Sequence, residues 1–569
     1  MSAQPASQPF GTQPTFADLF TPKFVTVMRE GYTPTKFRAD ALAAVTVAVV
    51  ALPLSMAISI ASGAPPERGI FTAIVGGFLI SLLGGSRFQI GGPAGAFIVL
   101  VAATIERFGL DGLALASFMA GLILIIVGYL RIGSYMRYIP HPVIIGFTAG
   151  IAVIIFSSQL HDLLGLTLAG KEPGAFIPKL EALWGARSIN PWAIAVAAGS
   201  LAIIIGLRRW RPHWPGFLIA IVAAGLATWL FGLPVETIAQ RFGAIPRTLP
   251  SPSLPEVSLA RIGELLPSAM TIALLGGIES LLSAMVADGM TGRRHRSNCE
   301  LVAQGAANMA SALFGGLCAT GTIARTATNI RAGAVGPVSG VLHSVFLLLM
   351  MLVAAPLMGE IPLAALAAIL AVVCWNMAEK HEFIAILRRS RGDAAVLLAT
   401  FLITVFRDLT EGIGVGVVMG SLLFMHRMAE LMEIEAHAPL LSEDRADNGV
   451  EQREASIVAA AAEGTLVYRF AGPLFFGTAS TLAAVLDRIG ETPKRFVLDM
   501  SAVPMIDHTG AITVATFADR AKKHGAAVVI AAAAPNVRRA LAHGGLRPPR
   551  VTYAPSVTTA IASASSRSA

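Results

Sequence analysis

Apolar stretches long enough to cross a bilayer recur along the first three quarters of this chain, and no other property limits its fold as strongly. A backbone at membrane depth must satisfy its own polar groups, so these stretches have to be helices. Hydrophobic residues make up 54% of the chain and charged residues only 14%, with a mean hydropathy of +0.68. That balance belongs to a polytopic membrane protein. The runs give about fourteen spans, seven in each half. The first half covers about 39–232 and the second about 261–428. The segment from Phe16 to Arg38 carries Lys23, Arg29, Lys36 and Arg38 and reads as an interfacial amphipathic stretch.

Two Gly-rich breaks interrupt this pattern at corresponding places. In Phe314–Ala334, FGGLCATGTIARTATNIRAGA, Gly315, Gly316 and Gly321 precede a short polar helix with Thr322, Arg325, Thr326 and Thr328. In Leu82–Phe97, LLGGSRFQIGGPAGAF, Gly91, Gly92 and Pro93 open another. Each reads as a short strand followed by a half-helix, since glycine allows a sharp turn and proline suits a first helical turn. Matched interrupted segments in two halves point to a substrate site at an inverted-repeat interface. Facing half-helix N-termini would offer free N–H groups and positive dipole ends to an anion. The alternative is that the glycines serve only close helix packing. Packing does not call for Arg325, whose guanidinium is costly at membrane depth and must face a cavity or a counter-charge.

The net charge of +8 does not indicate nucleic acid, because Lys and Arg sit in short loops between spans. They concentrate in the N-terminal arm, at Arg208–Arg211, at Arg293–Arg296 and at Lys380–Arg391. All fall on one face in this count, which places both termini in the cytoplasm. The opening MSAQPASQPFGTQPTF is polar and reads as a disordered tail over 1–15 rather than a signal peptide. Cys299, Cys318 and Cys374 lack metal-ligand spacing, so neither a zinc site nor a disulfide framework is expected. No cofactor is expected, and no phosphate loop or nucleophile–base pair suggests an enzyme. From about Ala436 a charged linker, 436–456, leads to a soluble domain, 457–569, of alternating strands and helices, an α/β layered unit. Its expected elements are a strand in TLVYRFAGPLFFG, a helix at about Ala479–Ile489, the strand RFVLDM, a helix from about Thr509 to Lys523, the strand AAVVIAA and a short helix at Asn536–Ala542.

These residues resemble the sulfate permease family of anion transporters, to which pendrin and prestin belong. The resemblance is carried by PLSMAISIASGAPPERGIFTAIVGG, GGPAGAF, NCELVAQGAANMASALFGG and IARTATNIRAGA, and covers nearly all of the chain. The soluble domain, with VLDMSAVPMIDHTG, is similar to the STAS domain that closes these proteins. The resemblance implies a seven-plus-seven inverted repeat in which a core domain moves against a gate domain, an elevator-like alternating access. It also implies a dimer, an anion held between the third and tenth spans, and a multi-pass protein of the inner (plasma) membrane. Within the family, GGIESLLSAMVADGMTG, SNCELVAQG and IARTATNIRAGA are most similar to the bacterial transporter that takes up succinate and fumarate with protons. Sodium-dependent bicarbonate transporters match less well. They carry an aspartate where Glu279 stands and a hydroxyl residue where Ile323 stands, and they lack the arginine at Arg325.

The expected activity is therefore proton-coupled symport of a small dicarboxylate, with sulfate or bicarbonate uptake, or an uncoupled channel-like anion pathway, as the alternatives. The candidate substrate residues are Arg325, Thr322, Gly321, Ala324 and Thr326 in the second half, and Ala94, Gly95, Ala96 and Ser55 in the first. Arg325 supplies positive charge in a planar fork that matches carboxylate or sulfate oxygens. Glu279, an acid inside a span, is the candidate proton carrier, with a fixed counter-ion for Arg325 as its competing role. Ser283 lies one turn further on the same helix. Glu300, Gln304 and Asn308 share one helical face and are expected to bond between helices rather than to touch substrate. In the soluble domain Asp507 is read as a helix cap in preference to a regulatory phosphorylation turn. A cytoplasmic partner of that domain stays open.

Overall fold

The structure is a computed structural model that describes residues 15–134, 140–168, 176–186, 188–211, 214–407, 409–430, 433–437, 464–476 and 493–565. All but the last residue of the expected tail over 1–15, most of the linker and the expected helix at Ala479–Ile489 lie outside these. The chain divides into two compact units, Met1–Val418 and Met419–Ala569.

The first unit is helical. Two short helices, α1 (Phe16–Phe20) and α2 (Lys23–Arg29), lead into α3 (Pro34–Ala61). Next, α4 (Pro66–Phe71) and α5 (Gly77–Leu83) run on through one π turn. The strand β1 (Gly91–Gly92), a 3-10 turn at Gly95–Phe97 and α6 (Ile98–Tyr129) follow. The half then closes with α7 (His141–Leu164), α8 (Phe176–Trp184), α9 (Pro191–Trp210), α10 (Gly216–Phe231) and α11 (Ile238–Phe242). The second half holds α12 (Leu259–Thr291), α13 (Ser297–Leu313), β2 (Thr320–Gly321), α14 (Ile323–Arg331) and α15 (Val338–Gly359). It ends with α16 (Leu363–Met377), α17 (Lys380–Arg389), α18 (Arg391–Phe406) and α19 (Leu409–Glu430), which runs past Val418 into the residues of the second unit.

Among the described residues nine helical stretches are long and apolar enough to cross a membrane, and α10 is a shorter apolar helix. The two spans expected at Pro93–Ile105 and Gly112–Tyr129 meet end to end in α6, hinged at Gly109, which leaves helical geometry with φ 72°. Glycine alone adopts that angle without strain. Helix α6 crosses α13 closely: a methyl on Gly121 would stand 2.6 Å from the Gly305 carbonyl, and one on Gly305 would collide with the Gly121 carbonyl. Small residues at such crossings let backbones touch where lipid supplies no hydrophobic drive. The helices pack around one large apolar core that reaches from Ala48 to Ile413.

The arm before α3 is docked on this unit. Lys23 N–H donates to Gly84 O at 2.9 Å, and Arg296 Nη1 donates to Thr21 O at 2.7 Å and Thr26 Oγ1 at 2.9 Å. Arg87 pairs with Glu30 through both nitrogens, which holds the Glu30 carboxyl below its ordinary range. Burial, reinforced by Arg296 and Arg87, brings the Lys23 ammonium down to about 8.

The second unit holds a five-stranded sheet, β3 (Glu433–His437), β4 (Thr465–Ala471), β5 (Arg495–Ala502), β6 (Ala527–Ala531) and β7 (Thr552–Ala554), in that spatial order. The pair β3–β4 is antiparallel and the other pairs are parallel. Among the described residues three helices follow its strands: α20 (His508–Lys523), α21 (Pro535–His543) and α22 (Val557–Ser565). Strands β3 and β7 and helix α22 were not anticipated. They are five, three and nine residues long, too short for a periodic signal to stand out. Asp507 caps α20, accepting from Gly510 N at 2.8 Å, the role the sequence favours for it.

Candidate functional site

The two Gly-rich breaks cross each other. Strands β1 and β2 form an antiparallel ladder in which Gly91 faces Gly321 and Gly92 faces Thr320. Each strand feeds directly into a helix start, so the crossing brings the N-termini of the Gly95–Phe97 turn and of α14 together. The contact is too tight for side chains: a methyl on Gly321 would collide with the Gln89 amide, and one on Gly92 with the Arg325 guanidinium. Thr322 ties the halves together, donating from N–H and Oγ1 to Ile90 O at 2.9 and 3.1 Å.

A cavity of about 380 Å³ opens at these helix starts. Ala94, Gly95 and Ala96 line it from the first half, Thr322, Ala324 and Arg325 from the second, and Glu279 from α12. Val47 and Leu54 of α3, Thr148 of α7, Phe217 of α10, Asn376 of α16 and Glu379 also line it. The first turn of a helix leaves its N–H groups without intrahelical acceptors, so two sets of such donors flank this space.

Arg325 is 1% exposed. Its Nη2 donates to Ser55 Oγ at 3.1 Å and Pro93 O at 3.4 Å, whereas Nε and Nη1 have no partner among the described residues. No carboxylate among the described residues forms an ion pair with it, Glu279 included, although both line the cavity. The counter-ion role weighed for Glu279 therefore has no direct contact behind it.

Of the ten residues singled out from sequence, seven line the cavity and three stand behind it. Ser55, fully buried on α3, holds the guanidinium. Gly321 sits in the ladder. Thr326 turns away from the cavity, accepting from Ile90 N and from Ser283 Oγ, both at 3.1 Å. Ser283 is spent on that bond. Helical periodicity could not separate Thr322 from Thr326, because they share a face and only the crossing segment decides which is covered.

Behind the crossing, Glu300 is fully buried without a cation partner among the described residues. Oε2 accepts from Gly85 N at 2.9 Å and Ser86 N at 3.1 Å. Oε1 accepts from Gln89 Nε2 at 3.0 Å, Gln304 Nε2 at 2.9 Å and Ser280 Oγ at 3.3 Å. Asn308 accepts from Ala319 N at 2.9 Å and donates to Ala319 O at 2.8 Å. The polar face of α13 thus holds both segments that lead into the ladder. Asp40 does similar work on α3, accepting from Val335 N, Gly336 N and Tyr32 Oη at 2.6, 3.1 and 2.6 Å.

Sequence reasoning missed three of these polar groups. Asp40 lies at the start of a span and reads as an interfacial charge. Glu379 follows a span in WNMAEK and reads as a loop acid; it takes a left-handed backbone, φ 37°. His343, in LHSVFLLL, is lost in an apolar run, yet it is fully buried with neither ring nitrogen partnered among the described residues.

Comparison with known proteins agrees with this architecture. Residues 37–400 match the sulfate permease family and residues 456–560 the STAS domain. The Bacillus subtilis (strain 168) protein YvdB is 42% identical over 88% of this chain and 92% of its own. The bicarbonate transporter BicA of Picosynechococcus is 31% identical over 89% of this chain and 90% of its own. Among solved structures, murine Slc26a9, an anion transporter in the inward-facing state, superposes with a TM-score of 0.84 at 19% identity, covering 98% of this chain and 96% of that one. The transmembrane domain of a cyanobacterial BicA gives 0.60 at 31% identity, over 68% of this chain and 98% of that one. These relatives do not link the chain to dicarboxylates, and a bicarbonate transporter matches it along most of its length, although the motifs had placed that group further off. The chain belongs to the sulfate permease family and is a multi-pass membrane anion transporter with a STAS domain after its helical part.

Proposed function

We propose that this protein takes up a small oxyanion, sulfate or bicarbonate, together with protons, binding it between the starts of the Gly95–Phe97 turn and α14. The observation that carries the reading is Arg325: a buried guanidinium lining the cavity with two unpartnered donors. A buried cation in this state calls for an anion. The cavity volume admits a tetrahedral oxyanion or a four-carbon dicarboxylate alike. Preference for the inorganic anions rests on the family description and on relatives named for their substrates, such as BicA and, at 28% identity, sulfate transporter 4.1, chloroplastic, of Arabidopsis thaliana. Glu279 at the same cavity is assigned the proton. An acid that shares the anion's cavity can be neutral when the anion enters and ionised when it leaves, which couples the two fluxes. The basic clusters around Arg208, Arg293 and Lys380 support cytoplasmic termini.

The test is uptake of radiolabelled sulfate, bicarbonate and fumarate into liposomes, with and without an inward proton gradient. Gradient-driven sulfate or bicarbonate uptake is expected, and Glu279→Gln is expected to keep binding while losing the response to the gradient. Fumarate as the sole substrate would reverse the choice of anion; an unaltered proton response in the variant would remove Glu279 from the mechanism.

A further inference from the structure

Among the described residues the cavity at the helix starts has three charged members. Arg325 brings a guanidinium, Glu279 a carboxyl, and Glu379 a second carboxyl. The rest of the lining is neutral, with Thr148, Thr322, Thr328 and Asn376 as its polar side chains. Once Glu279 holds the proton assigned to it, the guanidinium and the Glu379 carboxylate sum to zero. The charge of the bound anion is then uncompensated in the lining as a whole.

The three groups differ in depth. Arg325 is buried and Glu279 half-buried, whereas Glu379, between α16 and α17, is exposed. A residue that lines a cavity and also meets solvent stands at its mouth, and solvent there favours the ionised carboxylate. The left-handed backbone of Glu379, φ 37°, is uncommon for a residue with a side chain and fixes its place at the turn into α17. Among the described residues no hydrogen bond or ion pair engages its carboxylate. The cations beside it are directed elsewhere: Lys380 Nζ lies 4.0 Å from the centroid of the Trp375 ring, and Arg208 Nη1 donates to Asn376 Oδ1 at 3.1 Å. His141 of α7 and Glu382, three residues on, are the other titratable groups in its field.

We infer that Glu379 selects anions by charge: at the mouth of the anion cavity its carboxylate disfavours a doubly charged oxyanion more than a singly charged one, which shifts preference from sulfate towards bicarbonate. The inference rests on the assignment of this cavity to the anion, and it deepens that reading by discriminating between its two substrates. Repulsion is proportional to the charge of the anion, so whatever factor Glu379 costs a monoanion it costs a dianion the square of that factor. Solvent and salt screen an exposed carboxylate, which keeps the factor modest, about threefold for a monoanion and about ninefold for a dianion.

Dissociation constants for sulfate and bicarbonate are measured on the purified full-length protein, at one mildly alkaline pH, from the rise in melting temperature that each anion causes. The forms compared are wild type, Glu379→Gln, Glu379→Lys and Arg325→Gln. Glu379→Gln is expected to tighten bicarbonate about threefold and sulfate about ninefold, which moves the ratio of the two about threefold towards sulfate. Glu379→Lys changes the charge by two and is expected to move the ratio about ninefold, and both shifts are expected to shrink in concentrated inert salt. Equal changes for the two anions, no change, a Glu379→Lys no further shifted than Glu379→Gln, or shifts that salt leaves undiminished each overturn the inference. If Glu379→Gln does not fold, Glu379→Asn, whose side chain tolerates a left-handed backbone, takes its place with the same expectation. Arg325→Gln separates the two levels: binding of both anions unchanged in it removes the site reading itself, whereas binding lost in it with no effect of Glu379 removes only the selectivity.

Discussion

At the scale of single residues, the membrane core of this protein is held by buried carboxylates that take backbone donors in place of salt bridges. Glu300 accepts five hydrogen bonds, two of them from Gly85 and Ser86 N–H. Removing it strands those donors in a dry interior, so Glu300→Ala is expected to lower stability by about 3 kcal/mol. Glu300→Gln, which keeps one acceptor oxygen, is expected to cost less. Thermal melting of the purified variants checks both, and equal stability of all three forms would show that the network is dispensable. The polar face of α13 could be read from sequence, since Glu300, Gln304 and Asn308 follow helical spacing. Its partners could not, because Gly85 and Ser86 arrive from the other half of the chain and Ala319 folds back onto the face only through the turn after α13.

At the scale of elements, close crossings and the docked arm make separate demands. The contact of α6 with α13 leaves no room for a methyl at Gly305. Gly305→Ala is expected to cost about 2 kcal/mol, the range of an overpacked core. A fall in melting temperature checks it, and an unchanged value would mean that the two helices slide apart freely.

The arm responds to pH through Lys23. In the docked state its ammonium titrates at about 8 and in the free state at the ordinary 10.5. Between those values the undocked arm binds more protons, so docking strengthens as pH rises from about 8 to 10.5 and is unaffected below. The protection factor of the amides over Lys23–Arg29, that is, exchange corrected for its base-catalysed intrinsic rate, is expected to rise across that window in the wild type and to be flat in Lys23→Met. A slope that persisted in the variant would assign the effect elsewhere. The sequence showed this arm as amphipathic and basic, but not that it closes on Gly84 and Arg296.

At the scale of the molecule, each unit has its own core. Among the described residues the large apolar cluster of the membrane part has no buried member beyond Ile413, and the sheet packs around Phe470, Leu498, Val514 and Ile530. A chain ending after Glu430 is therefore expected to keep a cooperative melt and measurable anion uptake; loss of both would show that the second unit is required for folding of the first. The sequence by itself determined the helical membrane class, the matched breaks and the family, because apolar runs, glycines and a lone intramembrane arginine are written locally in the chain. Only the tertiary structure decided that Gly91 pairs with Gly321, that Thr322 lines the cavity while Thr326 turns behind it, and that Glu379 joins a cavity it sits far from in sequence. Those outcomes depend on how two distant half-helices cross, and residue spacing along one segment carries no record of the segment that lies against it.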